Sequence, residues 1–179
     1  MFATSTVIPK LCLWFLGGWL FLSISMAYIA GSTFVSLKPE TLRNANVVFD
    51  AVEAKTARPQ ALRYIASELN RRFFRHYGVF QCVVGALTLL LVFLTQKRAA
   101  FFMVLCAFAL ALFFHFHLIP NATELGREID FTPKEPVTAA RESFDALHRM
   151  STRSEGLKML LILGASSFVM RSKAPQGNS

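Results

Sequence analysis

The chain has 179 residues, of which 54% are hydrophobic, 18 are phenylalanine and 17% are charged. A soluble protein of this length has one small core and cannot bury several uninterrupted apolar runs, so such runs are expected to face lipid. The net charge is +8, and the lysines and arginines flank the apolar segments. This arrangement is typical of membrane proteins and argues against a nucleic-acid-binding module.

Four apolar runs predict transmembrane helices, at residues 11–34, 77–95, 99–120 and 156–171. The tip Gln96-Lys97-Arg98 separates the second run from the third, so these two helices are expected to form an antiparallel hairpin. The fourth run is short for a hydrocarbon core of about 30 Å. Because the segment before it, residues 139–155, contains no Gly or Pro, it can continue the fourth run as one long helix.

The first run has a competing interpretation as a secretory signal peptide. Lys10 precedes the run, and Ser25, Met26 and Ala27 have the small-x-small pattern of a cleavage site. The apolar character continues past Ala27, however, and the run as a whole is long enough to cross a bilayer. A membrane span is therefore the favoured interpretation.

The first long loop predicts helices that lie on the membrane surface. Apolar residues recur at helical spacing over residues 39–56 and, after a break at Pro59, over residues 60–76. A third interfacial helix is expected over residues 139–155, before the last span.

Two further segments are predicted to lack regular structure. Residues 121–138 contain two prolines, and Pro120 is expected to end the third span. The tail, residues 172–179, is rich in Ser, Gly and Pro and is expected to be disordered. The predicted fold class is thus all-α: one polytopic membrane domain over residues 1–179, with a four-transmembrane-helix bundle and amphipathic interfacial helices.

The sequence contains none of the common catalytic or metal-binding motifs. Cys12, Cys82 and Cys106 lie inside apolar runs, where a thiol acts as a small hydrophobe, and their spacing predicts neither a disulfide framework nor a zinc ribbon. There is no Ser/His/Asp set, HExxH motif or phosphate-binding glycine loop. We therefore expect a protein that is not an enzyme and has no cofactor.

Four spans bring the polar ends of the helices to one side of the membrane, and all the histidines lie there: His76, His115, His117 and His148. A haem or metal site would use His148 with His115 or His117. The latter two cannot chelate alone, because residues two apart on a helix differ by about 200° in direction. The alternative is that these side chains reach water or lipid phosphate.

Charged residues near the spans predict two further features. Arg71, Arg72 and Arg75 lead into the second span and are expected to contact lipid headgroups. Glu155 and Lys158 are three residues apart and predict an ion pair at the start of the last span, with a proton relay as the alternative.

Residues 144–156, FDALHRMSTRSEG, are followed by an apolar helix and resemble the F-x-x-L-H-x-x-S-x-x-x-E/N-G signature of the DUF4149, or TMEM205-like, membrane proteins. The end of the third span, residues 117–120, and the start of the first, residues 16–19, are similar to that family as well. The resemblance implies a four-helix membrane protein and no established catalytic residue. It directs attention to Pro120, His148, Ser151, Arg153 and Glu155.

Together these features predict a non-enzymatic small integral membrane protein that supports membrane organisation, stress tolerance or the handling of a small solute. The alternatives are a haem- or metal-binding redox protein and an accessory subunit of a larger membrane complex. The expected partners are the lipid bilayer and either copies of the chain or subunits of a membrane complex, without nucleic acid. We expect a multi-pass protein of a bacterial inner (plasma) membrane, or of an organelle membrane, with the long loops in the cytoplasm.

Overall fold

The computed structural model of the protein describes residues 4–38, 57–132 and 137–171. These residues form five α-helices and one π-helical turn, and they contain no strand: α1 Thr4–Ser36, α2 Ala57–Leu94, α3 Arg98–Phe113, the π-helical turn Phe114–Leu118, α4 Ile119–Ile129 and α5 Ala139–Met170. The all-helical prediction is confirmed. The predicted surface helix at 39–56 and the predicted disordered tail at 172–179 lie outside the described residues.

Neighbouring long helices run in opposite directions. Asn70 of α2 donates to the carbonyl of Ala30 near the end of α1, whereas Tyr77 further along α2 contacts Ser23. α3 returns along α2, and α5 then runs antiparallel to α3. One end of the bundle, here called the loop end, therefore holds the C-terminus of α1, the first half of α2, α4 and the first half of α5. The opposite end, the hairpin end, holds the α2–α3 connection.

The main core lies between these helices and is built on small residues of α3. Ala100, Val104, Ala107 and Ala111 recur every three or four positions and are fully buried. Small side chains at this spacing let helices approach closely, as in membrane bundles. They pack in one cluster with residues of the other helices: Cys12, Leu16, Trp19, Val92, Ile162, Ala165 and Val169.

The outer surface of the bundle exposes many large apolar side chains, which is unfavourable in water. Trp14 is 79% exposed, Phe21 72% and Tyr28 76%. Further large apolar side chains point outward from the other helices, including Phe80, Phe93, Phe102, Phe116 and Leu160. A contiguous apolar exterior of this kind suits a lipid environment.

Three helices of the described structure are long and apolar enough to cross a membrane. They are Val7–Ser36, Pro59–Leu94 and the continuous stretch Arg98–Ile129. Length and composition thus support the prediction of a multi-pass membrane protein, with three spans recognisable on this basis.

The predicted hairpin between the second and third runs is confirmed. α2 ends at Leu94, α3 begins at Arg98, and Gln96 takes a left-handed backbone conformation in the turn, with φ of 56°. The Lys97 ammonium donates to the carbonyls of Val169 (2.6 Å) and Arg171 (2.7 Å) at the end of α5. A cation here satisfies carbonyls that the helix leaves unpaired and complements the helix dipole.

The predicted surface helix at residues 60–76 is not a separate element, so that prediction is wrong in part. These residues are the first half of α2, which continues without interruption into the apolar run. The physical reason is local: no Gly or Pro stands between Gln60 and Tyr77, so nothing breaks the backbone ladder where the polarity changes.

The prediction that the helix of the third span ends at Pro120 is also wrong, as is the irregular structure expected over residues 121–129. The Ile119 N–H donates to the Phe114 carbonyl, a π-helical bond, and α4 then continues to Ile129. Pro120 has no N–H and cannot serve an α-helical ladder. At the second position of α4, however, that missing donor is not needed, so the wide turn lets the helix restart.

The last helix is continuous from Ala139 to Met170, as the absence of Gly and Pro in its first half predicts. Thr138 caps its start, because the side-chain oxygen accepts from the Arg141 N–H at 3.3 Å.

Candidate functional site

The most unusual group of side chains in the bundle is a set of polar residues enclosed by apolar helices. Lys158 is fully buried, and its ammonium donates to the Tyr77 hydroxyl (2.8 Å), Gln81 Oε1 (2.6 Å) and Glu155 Oε2 (2.7 Å). We call Ser23, Tyr77, Gln81, Glu155 and Lys158 the buried polar cluster.

Three helices supply this cluster through ordinary helical spacing. Tyr77 and Gln81 are one turn apart on α2, and Glu155 and Lys158 are one turn apart on α5. Ser23 comes from α1, with its Oγ 3.1 Å from the Tyr77 hydroxyl. The cluster therefore connects α1, α2 and α5 at the level where the apolar run of α2 begins.

The ionisable groups of the cluster make nearly all their hydrogen bonds to one another and to Gln81. The three N–H bonds of Lys158 reach three side chains, and the Tyr77 hydroxyl lies 2.6 Å from Glu155 Oε2, to which it donates. An ammonium in an apolar interior is tolerated when it is paired and hydrogen-bonded in this way. No free acid, base or nucleophile is left among these five side chains.

Aromatic rings complete the surroundings of the ammonium. Lys158 Nζ lies 5.1 Å from the centre of the Tyr77 ring and 6.0 Å from that of Trp19, distances at which ring faces attract a cation. Two buried donors, Trp19 Nε1 and Gln81 Nε2, have no hydrogen-bond partner within the described ranges.

A second ionic group lies at the loop end, between α2 and the end of α4. The Arg71 guanidinium donates to Glu68 at 2.7 Å and to the Asp130 carboxylate at 2.8 Å, and Arg127 approaches Glu68 at 3.7 Å. We call these four residues the Arg71 cluster. The Arg71 side chain is 11% exposed. The Arg71 guanidinium, which was expected to contact lipid headgroups, thus binds carboxylates of the protein instead. Arg72 and Arg75 are exposed.

The predicted histidines have different surroundings. His115 is half-buried, and its ring lies so close to the Gly78 Cα that a Cβ has no room there. The exposed His117 ring stacks on Phe113 with centres 5.1 Å apart, and the exposed His148 ring stacks on Phe144 at 6.4 Å.

No group of three or more His, Cys, Asp or Glu side chains in the described part of the chain is placed to hold a metal ion. The haem or metal site built on His148 with His115 or His117 stays a prediction.

The other residues of the family-like motif lie outside the buried polar cluster, with one exception. Ser151 Oγ donates to the Leu147 carbonyl of its own helix at 2.9 Å. Arg153 is exposed, and Pro120 stands exposed in the first turn of α4. Of these residues, Glu155 joins the buried polar cluster.

The ion pair between Glu155 and Lys158, predicted from their spacing, is confirmed at 2.7 Å. Ser23, Tyr77 and Gln81 were not among the predicted site residues. A signal was present, because Tyr77 and Gln81 are polar residues one turn apart at the start of an apolar run. Polar side chains within spans tend to face a helical neighbour and mark functional or structural sites.

Comparisons of the chain with known protein families, with curated proteins and with solved structures gave no match.

Proposed function

We propose that this protein is a non-enzymatic, four-span integral membrane protein, whose work is done by the packed bundle and the surfaces that the bundle presents to the membrane. The observation that carries the proposal is the mutual pairing of the ionisable groups in the buried polar cluster. Its lysine, glutamate and tyrosine bond one another, and through Ser23 they join three helices, so that none of these ionisable groups is free for chemistry on a substrate.

The path of α5 supports a fourth span. Lys97 bonds the last carbonyls of α5 at the hairpin end, and Glu155 meets Tyr77 where the apolar run of α2 begins. The part of α5 between these two contacts thus packs on α1 and α3, over the same depth as the apolar run of α2. With 32 residues, the whole helix is about 48 Å long, more than a hydrocarbon core of about 30 Å requires.

The charge distribution on α5 supports the same conclusion. Its one cation at mid-bundle, Lys158, is fully buried and paired, so it does not face lipid. Leu160, Leu163 and Met170 point outward instead, and they are 67%, 48% and 64% exposed. A helix can cross a bilayer when its polar groups are satisfied inside the bundle.

Cysteine accessibility tests the topology. In a background without the native cysteines, Arg98→Cys, Glu142→Cys and Arg171→Cys are labelled in intact cells or right-side-out vesicles with a membrane-impermeant maleimide. Four spans predict that positions 98 and 171 react from the same side and position 142 from the opposite side. Three spans would put positions 171 and 142 on the same side, and the proposal would fail.

The absence of a bound redox group is tested on the purified protein. We expect no absorption band at about 400–430 nm, where haem absorbs, and no stoichiometric metal. A haem band that His148→Ala abolishes would favour the redox alternative. Co-purification with other membrane proteins at a fixed ratio would instead identify the chain as an accessory subunit.

A further inference from the structure

A cleft of about 720 Å³ opens at the loop end, between α2 and the segment formed by the π-helical turn and α4. Its volume lies within the range of about 300–1,000 Å³ that is usual for ligand sites. The residues that matter to its chemistry are two arginines, two glutamates and two apolar side chains: Arg75, Arg127, Glu124, Glu128, Phe116 and Ile119.

The charges around this cleft balance and are largely free. Arg75, Glu124 and Glu128 are exposed and have no ion-pair partner among the described residues, and Arg127 has one long contact of 3.7 Å, to Glu68. Two cations and two anions in one cleft do not favour a purely anionic or purely cationic ligand. They are complementary to a ligand that carries both charges.

The cleft also has an apolar part, because it lies at the ends of two apolar runs. Arg75 lies two residues before the apolar run of α2 begins, and Phe116 and Ile119 lie near the end of the apolar run of α3. Phe116 is 70% exposed. The cleft thus has a charged part outside the apolar layer and an apolar part within it, as a lipid with a polar head and acyl chains requires.

We propose that this cleft binds a zwitterionic phospholipid with a primary ammonium, the headgroup chemistry of phosphatidylethanolamine. Arg75 and Arg127 take the phosphate, the carboxylates of Glu124 and Glu128 take the ammonium, and an acyl chain lies on Phe116 and Ile119.

The free carboxylates are the basis of the headgroup choice. A primary ammonium donates hydrogen bonds to carboxylates, which the quaternary ammonium of phosphatidylcholine cannot do. An anionic headgroup such as that of phosphatidylglycerol meets repulsion from the same two carboxylates. The inference requires α2 to α4 alone, so it holds whether or not α5 crosses the membrane.

Native mass spectrometry of the detergent-purified protein tests the site. The protein is exposed to equimolar phosphatidylethanolamine and phosphatidylglycerol with identical acyl chains, and the bound lipids are counted. We expect phosphatidylethanolamine to be retained preferentially. Arg75→Gln should lower its retention about fivefold, the factor that corresponds to roughly 1 kcal/mol for a basic residue near a lipid surface.

Two variants make the test specific. The double substitution Glu124→Gln and Glu128→Gln should reverse the preference toward phosphatidylglycerol, because the phosphate-binding arginines remain and the carboxylates do not. Arg72→Gln removes the same charge from an exposed position on α2 that does not line the cleft, and it should leave retention unchanged.

Three results would overturn the proposal: equal or greater retention of phosphatidylglycerol by the unaltered protein, equal losses in Arg72→Gln and Arg75→Gln, or an unchanged preference in the double variant. Because Glu124 and Glu128 are exposed, their substitution does not depend on the fold tolerating a change in the core. The double variant therefore decides the question even if Arg75→Gln folds poorly.

Discussion

The buried polar cluster and the Arg71 cluster use bonds of the same length in different surroundings. Lys158 and Glu155 are 2.7 Å apart, as are Arg71 and Glu68. Lys158 is fully buried and has one carboxylate partner, Glu155, whereas Arg71 at the loop end is 11% exposed and binds two carboxylates, Glu68 and Asp130. Distance alone thus does not set the effect of losing one partner, because a buried charge left without any counter-charge costs more than a charge that keeps a second carboxylate.

The largest effect is expected from Glu155→Gln, which leaves the Lys158 ammonium buried without its counter-charge. Removal of one partner of a buried pair costs about 3–5 kcal/mol. Thermal or chaotrope unfolding in detergent measures this loss. Asp145→Asn is the matched control, because Asp145 is an exposed carboxylate on the same helix. It should change the stability little.

The double variant Glu155→Gln and Lys158→Met sharpens this result. Since it removes both charges, it should be more stable than Glu155→Gln alone, by about 2 kcal/mol or more. Equal stability of the two variants would mean that the unpaired ammonium is not what destabilises the single variant.

An intermediate effect is expected in the Arg71 cluster. Asp130→Asn removes one of the two carboxylates that bind Arg71 and leaves Glu68 in place. A hydrogen bond to a charged group contributes about 1.5–3 kcal/mol, and the remaining carboxylate limits the loss to the lower part of that range. If Asp130→Asn proved as damaging as Glu155→Gln under the same unfolding assay, the proposed dependence on a remaining counter-charge would be wrong.

Close helix packing is a further condition for the buried polar cluster. A Cβ at Gly85 would lie 2.7 Å from the Phe108 ring and 2.9 Å from the Trp19 ring, so Gly85→Ala must displace these two rings where α2 meets α3 and α1. Overpacking of this kind costs about 1–3 kcal/mol. The control is Gly18→Ala on α1, where a Cβ meets nothing within 4 Å. That variant should be neutral or stabilised by up to about 1 kcal/mol in the same assay.

The smallest effect is expected from Arg127→Gln. Its contact with Glu68 is long, at 3.7 Å, and the Arg127 side chain is 60% exposed. Exposed pairs contribute about 0–1 kcal/mol. A loss above this range in the unfolding assay would contradict the order of energies inferred for the two clusters.

Several features of the fold were predictable because they depend on short stretches of sequence. Apolar runs of sufficient length predict spanning helices. The connection at Lys97 is so short that the two helices it joins must form an antiparallel hairpin. The Glu155–Lys158 pair follows from one turn of helix. The continuation of the helix past Pro120 was not predictable, because a proline usually ends a helix and a π-helical turn that bypasses it is rare.

The sequence by itself determined that this protein is helical, that three of its helices are apolar and long enough for a membrane, and that Glu155 and Lys158 lie on one helix face. The tertiary structure decided which side chains meet that pair. Tyr77 and Gln81 reach it from α2, and Ser23 of α1 contacts the Tyr77 hydroxyl. The rotation of each helix about its axis is decided by packing between helices, as at Gly85 and Trp19. Spacing along a single helix shows which residues share a face, but not which neighbouring helix that face meets.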